Sequence, residues 1–541
     1  MKEGKDISSL EEKLLGEDTG KTRFTIDRLL EKWVGEFGRW QLKHFLLVSF
    51  AWTLEAMQTM VMIFADHEPD WRCKSNNPLH GSKIFTESGE WLGFDPCSPA
   101  SSICSMDRSL WEWTRGSSVS TVSEWGLFCA QKYKVGLAQS AFFIGCLIGA
   151  GVFGHLSDSS LGRKGVLRLV CILNAIFGFM TAMSPNFWIY SLLRLLTGVS
   201  TGGVGLSSFV LATEPVGPSK RGPVGMSAFY FFSLGITILP LLSYFFTTWR
   251  LLYVVSSIPS LLYVLLVLPF ISESPRWYLV KGRTEEAMAV MRSMAFHNGN
   301  ILPVNVSLAL EEENEQSDVD PFQEVSGSPV DIFRSPVTRT RMVFMLFIWL
   351  SCALVYYGLS LNVVNLKTSL HVSVFLNGIC EMPAFAITAT LLQKLGRRVM
   401  LVSTMLLSGF CAVAGSLISS GQGIATHKFL GILQLGCSML GIFGMAGTYN
   451  LLYIYTAELF PTVVRNAALG MASVTGNMGA IFAPLVIVLA TVNPGLPFGV
   501  IGACGVAGGI VAIKLPETLN QPLYETMTGL EWGETRGKCD S

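Results

Sequence analysis

The chain has 541 residues, of which 50% are hydrophobic and 14% charged, and its 39 basic side chains balance its 39 acidic ones. Soluble globular proteins carry about 25% charged residues, so this chain lacks the charge to cover a soluble surface, and its mean hydropathy is +0.46. Zero net charge also gives no electrostatic support for a nucleic-acid partner, and none is expected.

Taken in order, Met1 to Lys43 is polar and has no signal-peptide pattern. Gly16-Glu-Asp-Thr-Gly20-Lys21-Thr22 is one residue short of a phosphate-binding loop, and no strand precedes it. Glu11-Glu12-Lys13-Leu14-Leu15 has its acid one residue too close for an acidic dileucine signal. Apolar runs of about 20 residues, the length that crosses a bilayer, then recur at 44–64, 134–155, 166–184, 187–209, 224–246, 250–271, 341–362, 371–393, 399–419, 426–452, 466–490 and 495–514. Twelve spans put both termini on one side. Basic residues choose the side. Even-to-odd connections hold Arg163, Lys164 and Arg168; Lys220 and Arg221; Arg276, Lys281 and Arg283; Lys394, Arg397 and Arg398; and Arg465. Both termini are therefore expected in the cytoplasm.

The expected architecture is an all-α membrane protein of twelve transmembrane helices in two pseudo-symmetric six-helix halves. A cytoplasmic segment 1–43 precedes the first half, 44–271, which carries a large outer loop at 65–133. A cytoplasmic linker at 272–340 leads to the second half, 341–514, and a cytoplasmic tail at 515–541. The outer loop holds Cys73, Cys97, Cys104 and Cys129. On an oxidising face these are disulfide candidates, with three pairings open. The Asn305-Val306-Ser307 sequon lies on the cytoplasmic side and is expected to be unused. In the linker, apolar residues recur at helical spacing from Arg283 to Met294, and Glu311 to Glu315 is an acidic run. The linker is read as a solvated face. The seven histidines are scattered without metal-ligand spacing, so no metal site is expected.

The halves repeat. Glu214…Arg221 recurs as Glu458…Arg465 at an offset of 244 (458 − 214), and Glu273 matches Glu517 at the same offset (517 − 273). Gly162-Arg163-Lys164 recurs as Gly396-Arg397-Arg398 (offset 396 − 162 = 234). Duplicated six-helix halves with a site between them characterise secondary transporters.

These motifs resemble the major facilitator superfamily over nearly all of the chain. Gly154–Lys164 looks like its signature loop between helices 2 and 3, with one extra residue between Asp158 and Gly162. Glu273-Ser-Pro-Arg-Trp277, Tyr455-Thr-Ala-Glu-Leu-Phe-Pro-Thr-Val-Val-Arg-Asn466 and the cysteine-containing loop are similar to organic cation/carnitine transporters. Ser49–Thr59, Asp66–Cys73 and Asp158–Lys164 resemble the plant branch. The resemblance implies alternating-access transport of carnitine, choline-like or other organic cations, with H⁺ or Na⁺ as coupling ion and no other cofactor. It implies no enzyme activity. A small-molecule substrate and the lipid bilayer are the expected partners. The expected location is the plasma membrane, with the vacuolar membrane as the alternative. A proton-coupled carrier of sugars or other neutral solutes is the rival transport reading. Sparse Gln/Asn in spans 7 and 10 argues against it. A non-transporting receptor is the rival from another class, and gating charges kept in both halves argue against that.

Several residues are candidates for the chemistry. Glu55, midway along span 1, costs roughly 2.5–3.5 kcal/mol to insert, so it is a functional candidate by default. It is a cation ligand, a proton carrier or a partner for Arg194. Arg194 in span 4 resembles a superfamily arginine used for coupling or for anionic groups. Glu381 in span 8 is similar to a glutamate of organic cation transporters. A quaternary ammonium has no proton to donate and binds aromatic faces. Trp349 and Tyr356 stand seven apart on one helix face, and their spacing matches the cavity aromatics of that family. Tyr230 in span 5 is a further candidate. Asn477 in span 11 stands where animal organic cation carriers have an aspartate, which favours a zwitterion such as carnitine or a site relying on Glu55 and Glu381. Asp158, Arg163 and Lys164 are expected to interact with Glu214 and Arg221, and Arg397, Arg398, Glu458 and Arg465 to mirror them. Such pairs would form when the cytoplasmic side closes and part when it opens. Gln393 replaces an acid in the second set, which is expected to be the weaker.

Overall fold

The computed structural model describes residues 22–74, 103–104, 106–303, 306–308, 329–366, 368–420, 427–521, 524 and 526–532. The motifs at residues 11–21, Cys97, Asn305 and the acidic run at 311–315 lie outside them. The membrane helices are α1 Arg39–Ala65, α2 Tyr133–Asp158, α3 Gly162–Ala182, α4 Phe187–Thr213, α5 Pro218–Phe245 and α6 Trp249–Leu266 in the first half. The second half has α7 Pro336–Asn362, α8 Leu370–Leu395, α9 Arg397–Ser420, α10 His427–Leu459, α11 Thr462–Val488 and α12 Leu496–Ala512. Eleven are long and apolar enough to cross a membrane, and α12 is a shorter apolar helix of 17 residues. Several helices outrun their apolar runs: α1 begins at Arg39 and α10 continues to Leu459. Backbone hydrogen bonds are satisfied within a helix, so nothing obliges it to stop where the hydrocarbon does.

Small residues set the close crossings. Gly145 and Gly149 of α2 face Gly198 and Gly202 of α4, where any Cβ would run into the opposite backbone. In the second half Gly409 of α9 meets Gly505 of α12 in the same way. Lipid tails are as apolar as Leu, so close backbone packing, rather than a hydrophobic drive, holds such helices together.

On the orientation set by the basic loops, the outer side is shut. Every residue of α1 from Ala56 to Ala65 is buried, as is α7 from Ser351 to Tyr356 and from Gly358 to Asn362. An outer subdomain caps this end. Strand β2 Trp71–Cys73 pairs antiparallel with β3 Trp111–Trp113 around Trp111, Trp113 and Ile103. Cys104 and Cys129 form a disulfide, and Cys73 is disulfide-bonded as well. Glu124 ties the subdomain to α6 through Arg250 at 2.5 Å and Trp249 Nε1 at 2.7 Å.

The linker departs from the solvated reading. Helix Thr284–His297 buries Ala287, Met288, Met291 and Met294 against Ile26, Leu29, Leu30 and Val34 of the N-terminal segment. Strand β1 Thr22–Phe24 pairs in parallel with β4 Val306–Leu308. Spacings of three (Met288, Met291, Met294) and four (Ala287, Met291) put these residues on one stripe, and the stripe found its cover more than 250 residues upstream in the chain (Met288 against Leu29, 288 − 29 = 259).

Candidate functional site

The centre of the molecule is a carboxylate in an aromatic surround. Glu381 of α8 is fully buried. Its Oε1 accepts from Tyr356 Oη at 2.8 Å and its Oε2 from Ser233 Oγ of α5 at 2.6 Å. Both halves therefore hold one carboxylate. Trp349 and Tyr356 both lean on Tyr449 of α10, at ring separations of 5.7 and 5.9 Å. Trp349 also meets Tyr453 edge-on at 4.8 Å, and its Nε1 donates to Thr456 at 3.0 Å. From the first half, Trp52 packs on Phe229 at 5.0 Å, and Phe229 reaches Tyr453 at 6.4 Å. Tyr230 lies at the margin, half-buried and edge-on to Phe385 at 5.3 Å.

Glu55 enters this surround from α1. It sits against Gly205 of α4, where a side chain would displace the carboxylate. Its Oε2 has no hydrogen-bond partner among the described residues. Tyr357 lies in the electrostatic reach of both Glu55 and Glu381. Glu55 and Arg194 form no ion pair. The Arg194 guanidinium is buried, donates weakly to Gln58 O at 3.3 and 3.4 Å, and lies 4.2 Å over the Phe142 ring. Of the roles weighed for Glu55, the arginine partner drops out.

The gating charges form two clusters, one inside each half. Arg163 bonds Glu214 at 3.1 Å and Asp158 at 3.0 Å, while Glu273 accepts from the Lys164 backbone N–H at 3.0 Å. Arg397 grips Glu458 through Nε and Nη2 at 2.9 Å, and Glu517 accepts from the N–H groups of Arg397 and Arg398 at 2.7 and 3.0 Å. Gly162 and Gly396 open the clusters with φ of +75° and +88°, and a Cβ at either would strike the Glu273 or Glu517 carboxylate. Three expectations change. Arg221 pairs with Asp27 at 2.9 Å rather than with the Asp158, Arg163 and Lys164 charges. Arg465 forms no ion pair with either cluster among the described residues, and its Nε and Nη2 have no hydrogen-bond partner there. The second cluster is also the more fully bonded, since Thr518 Oγ1 adds a 2.6 Å bond to Glu458 Oε2 while Glu214 Oε2 has none. Backbone donors and a threonine do what an acid at Gln393 would have done. Because both partners of each pair lie in one half, the clusters brace their own half.

A family model described as "Sugar (and other) transporter" matches residues 100–529. Organic cation/carnitine transporter 4 of Arabidopsis thaliana is 56% identical over 96% of this chain and 93% of its own length. Organic cation/carnitine transporter 2 of Homo sapiens is 33% identical over 77% of this chain and 73% of its own. The chain belongs to the organic cation/carnitine transporter family of the major facilitator superfamily. An inward-open structure of the xylose transporter XylE from E. coli covers 91% of the chain and 99% of its own, with TM-score 0.60 at 16% identity, which shows a shared fold. As a member of this family the chain is a multi-pass membrane transporter, not an enzyme.

Against that family frame, Asn477 of α11 is half-buried, one residue from Gly476, whose Cα faces the Trp349 ring. It brings no charge to the centre. Tyr449, Tyr453, Trp52 and Ser233 went unremarked in the sequence. Tyr449 and Tyr453 stand four apart on one helix face, and Trp52 stands three before Glu55; that spacing was the available signal. Also missed was a buried polar chain at the outer end. Asp66 Oδ1 accepts from Tyr190 Oη and Thr121 Oγ1, each at 2.7 Å, and the Tyr190 and Tyr253 hydroxyls are 2.9 Å apart.

Proposed function

We propose that this transporter carries organic cations or the zwitterion carnitine by alternating access, between the outer side that is shut here and the cytoplasm. The observation that carries the reading is the pairing of Glu381 and Glu55 with the Trp349, Tyr356, Tyr449 and Tyr453 rings. A quaternary ammonium offers no N–H, so diffuse negative charge and π faces are its natural ligands. The cation/carnitine names of the relatives support the same substrate class. The neutral Asn477 leaves less charge than a site built for simple cations would hold, which favours carnitine. Coupling to H⁺ or Na⁺ and residence in the plasma membrane complete the reading. A disulfide-bonded outer subdomain suits an oxidising exterior, and the vacuolar membrane is the alternative.

The test is uptake of labelled carnitine, choline, tetraethylammonium and glucose at two pH values in a transport-deficient cell. Uptake of one or more of the ammonium compounds is expected. Uptake of glucose alone would overturn the substrate class.

A further inference from the structure

We propose that Asp66 is the protonatable site through which outside pH acts on transport, which gives the proposed ion coupling a proton and an address. Asp66 caps the outer end of α1 and forms part of the floor of a small cleft of about 60 Å³ between the halves, with His67, Glu68, Lys132 and Gln139 on its walls. The two carboxylate oxygens differ. Oδ1 takes both 2.7 Å hydroxyl bonds, while Oδ2 accepts only a long contact from Gln139 Nε2 at 3.5 Å.

The hydroxyl chain has a direction. Tyr190 spends its single hydrogen on Asp66, so Tyr253 must donate to Tyr190. Beyond Tyr253 lies the Arg194 guanidinium, 5.5 Å from its ring, which makes no ion pair among the described residues. Asp66 is thus joined to α2, α4, α6 and the outer helix Thr121–Trp125 at one point. The charges that face it are Arg194 from α4 and, in the cleft, His67, Glu68 and Lys132. Glu68 and Lys132 pair with each other at 2.9 Å, and Glu124 of the outer helix is held by Arg250.

The step balances simply. An O–H bond of hydronium in the cleft breaks, an O–H bond forms at Asp66 Oδ2, and water leaves. Protonation cancels the charge to which Tyr190 and Thr121 donate and which the nearby Arg194 charge favours. The bond network at the top of α1 then loosens. Burial pushes the Asp66 carboxyl above the ordinary range, against the Tyr190 and Thr121 bonds and the Arg194 charge.

The experiment uses the full chain in proteoliposomes. Counterflow of tetraethylammonium and carnitine is measured as outside pH is varied, and infrared difference spectra follow protonated carboxyl groups over the same range. Wild type is expected to show a single-site profile, its protonated fraction falling about tenfold per pH unit above the midpoint. Asp66→Asn keeps an acceptor for Tyr190 and Thr121. It should exchange substrate with a flat profile and lack one carboxyl band. Tyr190→Phe removes a bond that favours the carboxylate, so its midpoint moves to higher pH. An Asp66→Asn protein that keeps the wild-type profile or the full set of bands overturns the proposal, as does a wild type indifferent to pH. If neither compound exchanges but the band is present in wild type and lost in Asp66→Asn, the substrate reading falls and the proton site stands.

Discussion

The two halves carry the same inner cluster, and they balance its buried carboxylates differently. In the first, Glu273 is half-buried behind the Gly162 turn. Desolvation pushes its carboxyl above the usual range, and the N–H donors of Ser274, Lys164 and Arg163 do not fully offset it. In the second, burial pushes Glu517 the same way. Four backbone donors, from Arg397, Leu519, Thr518 and Arg398, outweigh it and hold the carboxyl below its usual range. A duplicated motif therefore does not guarantee a duplicated electrostatic state. Deeper burial at Glu273 and an additional N–H donor at Glu517 put the two carboxyls on opposite sides of the ordinary range.

The strongest way to break this comparison is at the turn glycines. Gly162→Ala and Gly396→Ala each force a Cβ into the left-handed region, at about 1–2 kcal/mol, and into the facing carboxylate. Displacing that carboxylate forfeits hydrogen bonds to a charged group of roughly 1.5–3 kcal/mol each. Both variants should lose thermal stability and yield of monodisperse protein, Gly396→Ala the more. Equal losses would mean the two clusters are equivalent after all.

The carboxylates themselves come next. Glu517→Gln leaves N–H donors facing an amide and should cost about 2–3 kcal/mol, whereas Glu273→Gln should cost about 1 or less, because it also relieves a desolvated charge. Their pH windows are opposite. With its carboxyl raised, Glu273 contributes stability that is full at low pH and fades as pH rises through its raised value. With its carboxyl lowered, Glu517 contributes stability that is present above about pH 4.3, the ordinary glutamate value, and lost as pH falls through its lowered one. Melting curves against pH should therefore flatten above the ordinary range in Glu273→Gln and below it in Glu517→Gln. The reverse assignment would refute this balance of burial against N–H donors.

The comparison extends to the centre, where each half supplies one carboxylate. Glu381 is bonded at both oxygens, whereas Glu55 Oε2 has none. Glu381→Gln should lower both stability and cation uptake, the latter by about tenfold, equivalent to ~1.4 kcal/mol. Glu55→Gln should lower uptake while leaving the melting point unchanged, since it breaks no bond at Oε2. Loss of stability in Glu55→Gln would give that residue a structural partner.

What could be read in advance follows the same physics. Each apolar run that must cross a bilayer is visible because length and composition alone mark it. Glu381 stood out because a charge in such a run is costly, and Trp349 with Tyr356 because seven residues return a helix to one face. Tyr449 and Tyr453 obey the same periodicity but are diluted in the apolar residues of α10. Asp66 was hidden because an acid at the end of a span looks like ordinary loop; only packing shows it buried under Thr121 and Tyr190. Arg221 was grouped with the loop charges Asp158, Arg163 and Lys164, yet its partner Asp27 lies 194 residues away, and no spacing rule reaches that far.

That long-range pair offers the smallest test. Asp27 receives both Arg221 and Arg276, so one carboxylate links the N-terminal segment to the start of α5 and to the short helix Pro275–Val280 that follows α6. The second half meets the tail at other points: Ser335 Oγ donates to Glu531, and the Thr462 N–H donates to Tyr524 O. Asp27 and Arg221 are partly exposed, at 23% and 38%, so solvent screens the pair and Asp27→Asn should cost no more than about 1 kcal/mol. The effect should still be local and one-sided. Hydrogen exchange is expected to speed up at β1, β4 and helix Thr284–His297, which stack on the segment that Asp27 anchors, while α9 to α11 keep their wild-type rates. Acceleration spread over both halves would mean the segment braces the whole inner face, and the asymmetry drawn between the halves would end at their clusters.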